Sequence, residues 1–156
     1  MKFILLCFLI AFTYQQDIDI DKIYDKIVIV FKGMASSDEY KCANTLAKSK
    51  GAMVEIINNI IKDLKDGKKI TDVLMSYIGK IMAIDGFMEN CKVIQLGTKI
   101  MSLANEKGLK DLGYNIIEHA ADIVNYFKQI VQASTLDDKL LIIGKLISVV
   151  IDFQVL

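Results

Sequence analysis

The chain has 156 residues, 53% of them hydrophobic, enough for one domain with a real core and too apolar for a disordered segment. Its 19 basic residues, all lysine, balance 19 acidic ones, so there is no electrostatic footprint for nucleic acid or for an anionic membrane. Without arginine the chain lacks the usual bidentate grip on phosphate and carboxylate, and without proline it lacks the strongest helix breaker.

The start, MKFILLCFLIAFTYQQDID, has one positive charge, an apolar stretch from Phe3 to Phe12, then smaller and polar residues. That is the layout of a secretory signal peptide, with an apolar run too short to span a bilayer comfortably. Residues 1–15 are read as the leader and 16–156 as a single helical domain. Cleavage is expected near Ala11–Gln16, with Ala11 and Thr13 suited to positions −3 and −1. The alternatives are an uncleaved anchor or a buried N-terminal helix.

Secretion changes the reading of the three cysteines. Cys7 leaves with the leader. Cys42 and Cys91 remain as an even pair in an oxidising compartment, outside any CxxC and with no histidine nearby for zinc. A structural disulfide is expected; two buried free thiols are the alternative. No Asn-x-Ser/Thr sequon occurs, so N-glycosylation is not expected.

Along the mature chain, Ile20, Ile23, Tyr24, Ile27, Val30, Phe31 and Met34 form a helical stripe that ends near Gly33. Ser36 with Glu39 suggests a capping box for a second helix over 38–66, with Gly51 as its weak point. In KDGKK, Gly67 suits the left-handed position that stops a helix. Thr71 is a candidate N-cap for a third helix, which Asp85-Gly86 bends or ends. A fourth runs through FMENCKVIQLGTKIMSLANEKG, with Gly108 as its stop. The fifth, 109–131, has the cleanest stripe, and Ser134 or Thr135 restarts the chain.

The last segment, KLLIIGKLISVVIDFQVL, is apolar nearly all round. Asp138, Lys145, Ser148 and Asp152 share one narrow polar strip on a helical wheel. Lys145 and Asp152 inside it argue against a membrane span or a GPI signal, so it is read as the central, most buried helix. A β-strand pair is the competing reading. Short connections throughout favour antiparallel neighbours. The predicted fold is therefore all-α: an antiparallel bundle of five or six helices after a signal peptide. Cys42 lies 25 residues before Gly67 and Cys91 lies 24 after it, so in an antiparallel pair turning at Gly67 the two cysteines come level.

Candidate chemistry is sparse. His119 is the only histidine, flanked by Glu118 and placed i, i+3 from Asp122. An imidazole beside carboxylates can bind a metal or act as a base. There is no second histidine and no nucleophile elbow, and a boundary side chain at the edge of the apolar stripe accounts for it. The carboxylates of DIDIDK lack the glycine and terminal glutamate of an EF-hand and suit a helix N-terminus. KDGKK lacks the glycines and preceding strand of a phosphate loop. Met82, Met88 and Met101 can line an adaptable apolar cavity.

A signal peptide and a cysteine followed by DLKDGKKITDVL, NCK, DLGYNI and GKLIS resemble a group of small secreted ciliate proteins, over about residues 42–156. The resemblance implies a secreted, helical, disulfide-bonded protein and carries no function or site residues with it.

These readings lead to a secreted or secretory-granule protein that is not an enzyme and holds no cofactor or metal. It would act through its surface, by self-association or by binding another secreted protein. The alternative is an extracellular carrier of a small apolar ligand such as a lipid. Lysis of membranes in the saposin manner fits poorly with neutral charge and one disulfide. Neither nucleic acid nor a stable membrane anchor is expected.

Overall fold

The computed structural model describes residues 19–156; the leader and Cys7 lie outside the described residues. Those residues form nine helices and no strand: α1 (Ile20–Gly33), α2 (Lys41–Lys48), α3 (Lys50–Lys65), α4 (Ile70–Met82), α5 (Phe87–Asn90), α6 (Val93–Ser102), α7 (Glu106–Glu118), α8 (Ala120–Gln132) and α9 (Leu136–Val150). The all-helical reading holds. The helices are shorter and more numerous than the apolar stripes suggested, because the chain turns at residues that carry no glycine signal. Tyr40, Lys92 and Asp152 each adopt φ of 48°, a left-handed conformation that few non-glycine residues take.

Local signals explain several boundaries. Asp19 caps α1 by accepting from the Lys22 N–H, and Asp21 and Lys32 complement the dipole at its two ends. Thr135 caps α9 by accepting from the Asp138 N–H. Gly67, at φ 81°, ends α3: its N–H bonds to the Leu64 carbonyl and the Lys68 N–H to that of Asp63, the paired pattern of a Schellman motif. Other expectations need correction. Ser36 caps nothing; its N–H donates to the Val155 carbonyl, and α2 starts only at Lys41. The predicted 38–66 helix is interrupted at Ser49. Lys69 rather than Thr71 precedes α4. Gly108 opens α7 instead of stopping a helix, its N–H donating to the Asn105 cap at 2.8 Å.

The packing order is α8 on α9, α9 on α1, α1 on α2 and α3, and α3 on α4. The closest approach is between α1 and α9. A Cβ on Gly33 would fall on the Leu141 carbonyl oxygen and 2.9 Å from the Gly144 Cα; one on Gly144 would fall on the Val30 carbonyl oxygen. The two glycines therefore let backbone meet backbone, a use of Gly144 that its place in an apolar run does not reveal.

The core sits beside this crossing. Tyr24, Met34, Cys42, Leu46, Val54, Cys91 and Val155 form one buried cluster. The Tyr24 hydroxyl donates to the Leu46 carbonyl at 3.0 Å, which satisfies its one buried polar atom. Cys42 and Cys91 stand at disulfide distance, with 2.00 Å between the Sγ atoms, and both are fully buried.

The C-terminal segment differs most from expectation. α9 ends at Val150, where Asp152 takes the left-handed position and the Phe153 N–H bonds back to the Ser148 carbonyl. The chain then runs extended into the core. Val155 pairs with Ala35 in an isolated parallel bridge and is 0% exposed. The Leu156 carbonyl accepts from the Cys42 N–H at 2.7 Å, and the Leu156 N–H donates to the Asn90 carbonyl at 2.9 Å. Tyr40, the residue preceding α2, offers no side-chain cap; the tail supplies the acceptor instead. Within α9 only Gly144 and Ser148 are buried. Val155 of the tail, not the body of that helix, reaches the deepest core. No helix among the described residues is long and apolar enough to cross a membrane.

Candidate functional site

The polar chemistry gathers in one cleft and separates on inspection. Lys92, Gln95, His119, Ser148, Asp152 and Gln154 line a surface cleft of about 600 Å³. Histidine, serine and aspartate thus share a wall, the residue types of a nucleophilic triad. Their bonds point elsewhere. The Ser148 hydroxyl donates to the Lys145 carbonyl one turn back at 2.8 Å. His119 Nδ1 lies 3.6 Å from Asp122 on the same stretch of helix. Asp152 faces Lys99 at 3.7 Å, and the Lys92 ammonium donates to the Gln154 carbonyl at 3.0 Å. The geometry holds the end of α9 and the tail in place. Asn115 adds to this by donating to the Val149 and Val150 carbonyls at 3.0 and 3.2 Å, covering acceptors that the helix end leaves open. Among the described residues, no group of three or more His, Cys, Asp or Glu converges as metal ligands would.

The DIDIDK carboxylates within the described residues have lysine partners. Asp19 lies 3.3 Å from Lys22, and Asp21 lies 3.5 Å from Lys50, which also reaches Asp25 at 2.8 Å and so ties α3 to α1. At the KDGKK tip Lys68 pairs with Asp63 at 2.7 Å, and the Tyr77 hydroxyl donates to the same carboxylate at 3.0 Å. The hydrogen bond from Lys68 is the main cause holding the Asp63 carboxyl below its ordinary range, with Tyr77 adding to it. A carboxylate depressed in the folded state contributes stability above its unfolded pKa and loses it as pH falls through the folded one. The Asp63 side chain should therefore titrate by NMR below the ordinary midpoint of about 3.9, and Lys68→Ala should move it back upward.

The conspicuous surface feature is apolar. On α4, at one end of the packing order, Leu74, Met75, Ile78 and Met82 are exposed. On α7 and α8, at the other end, so are Leu109, Ile117, Val124, Phe127 and Val131. Met82 and Met101, expected as cavity lining, lie on the outside. α4 packs mainly on α3 and α8 mainly on α9, which leaves these apolar side chains uncovered, as are Ile94, Ile100 and Met101 of α6. Single exposed leucines are ordinary, but contiguous apolar faces mark contact surfaces. The sequence stripes marked these positions as apolar without distinguishing an inward face from an outward one.

Comparisons with protein-family models, with curated proteins and with solved structures find no match. The likeness to secreted ciliate proteins therefore stays an expectation from sequence.

Proposed function

We propose that this is a secreted, non-catalytic protein, built as an antiparallel helical bundle, that works by self-association. The observation that carries the reading is the pair of exposed apolar faces at the two ends of the packing order. A formal net charge of zero, or −1 once Lys2 leaves with the leader, keeps the repulsion between copies low. A buried cysteine pair at bonding distance suits an oxidising compartment. Native mass spectrometry of protein secreted by its source tests this. The expected result is an oligomer without stoichiometric lipid, shortened by the leader, with no alkylatable thiol. A monomer that releases one fatty acid or sterol on denaturation would overturn self-association in favour of the apolar-ligand carrier.

A further inference from the structure

We propose that the α7–α8 face is the self-association surface and that it takes a second copy of itself, antiparallel, about a two-fold axis at Val124. The inference rests on the self-association reading above and names the surface.

Only His119 separates α7 from α8, and helical hydrogen bonding continues across it: His119 N–H to the Asn115 carbonyl at 3.0 Å, Ile123 N–H to the His119 carbonyl at 2.9 Å. On the outer side, Ile117, Ala120, Val124, Phe127 and Val131 follow one another at steps of three, four, three and four residues. That is the seam spacing of a coiled coil. All five are exposed, with Ile117 at 74%, Phe127 at 56% and Val131 at 82%. Ile123 and Ile130, on the other side, are half-buried, as expected of the side that packs on α9.

The seam complements itself. In an antiparallel pair centred on Val124, each residue comes level with the one equally far on the other side of the centre. Val124 meets Val124, and Ile117 meets Val131. Phe127 comes level with Ala121, beside Ala120, so the one large ring falls where the opposite helix carries only methyl groups. The groove lined by Val124, Phe127, Lys128, Val131 and Gln132, about 360 Å³, comes level with Ile117, Ala120 and Val124 of the second copy. Lys128 lies about half a turn from the level of Glu118 on the second copy, giving opposite charges along each flank. On α4 the exposed seam is shorter, running only from Met75 through Ile78 to Met82, which is why the second copy is assigned to α8.

Sedimentation velocity on wild type, Phe127→Asp and Ile78→Asp, with circular dichroism on each, separates the outcomes. The wild type should dimerise. Phe127→Asp should weaken the dimer about 100-fold or more, as loss of a central aromatic anchor does, and Ile78→Asp on α4 should leave it intact. Mild oxidation of Val124→Cys should give a covalent dimer, a readout that holds even if the aspartate variant misfolds. A wild type that stays monomeric overturns self-association as a whole. A dimer that survives Phe127→Asp, dissociates with Ile78→Asp, or fails to cross-link through Val124→Cys overturns this face while leaving self-association standing.

Discussion

Gly144→Val should destabilise the fold by about 3 kcal/mol or more, the upper range for overpacking a closed site. A Cβ at this position meets the Val30 carbonyl oxygen and lies 2.9 Å from the Gly33 Cα. Both are backbone atoms of α1 and cannot swing aside as a side chain tip would. α9 must move away from α1, and α9 also carries α8 and leads into the buried tail. Gly51→Ala is the matched control. It sits inside α3 with nothing within 4 Å of a new Cβ, so it should be neutral or stabilise by about 0.5–1 kcal/mol through helix propensity. Urea unfolding followed by circular dichroism measures both. A Gly144→Val midpoint equal to wild type would refute the close crossing.

Removing the disulfide should cost about 4 kcal/mol in the chain-entropy model. The pair spans 49 residues, from α2 to the end of α5, and encloses the α3–α4 hairpin that turns at Gly67. Packing adds to the loss, since both sulfurs are fully buried in the main cluster. Against a total stability of roughly 5–15 kcal/mol for a domain, Cys42→Ala/Cys91→Ala should remove a large fraction of it. Urea unfolding of the oxidised protein and the double variant compares them directly. Equal midpoints would mean that the bond constrains nothing.

The pairing of Cys42 with Cys91 at disulfide distance was legible because its signal is short and local: an even pair, no metal spacing, and nearly equal distances, 25 and 24 residues, from a glycine turn. The Thr135 cap and the Gly67 stop were legible for the same reason, each resting on one residue with a strong preference. What the sequence hid has a common physical cause. The predicted helices are broken at Ser49, Lys92 and His119, none of them a glycine or proline, and of these Lys92 takes the left-handed region without an intrinsic preference for it. A stripe-based reading joins the segments on either side and produces fewer, longer helices. The polar strip through Asp138, Lys145, Ser148 and Asp152 presumed a helix running on past Asp152, whereas the helix stops at Val150 and Ser148 is buried. Gly33 looked like a terminator and Gly144 like a gap in an apolar run; their shared role needs two segments 111 residues apart to be seen together. The α7–α8 seam was half-legible. Its apolar residues were recognised, but an amphipathic pattern does not say whether the partner of an apolar face is the same chain or another one.

In our proposal the outer apolar face of α7 and α8 is completed by a second copy of the chain. Sedimentation equilibrium of the purified oxidised protein, over a concentration series from about 1 to 200 µM, tests it most directly. The expected result is a mass that rises from one chain toward two and a single monomer–dimer constant describing every concentration, in the micromolar range expected of a small interface. A mass of one chain at every concentration would contradict it.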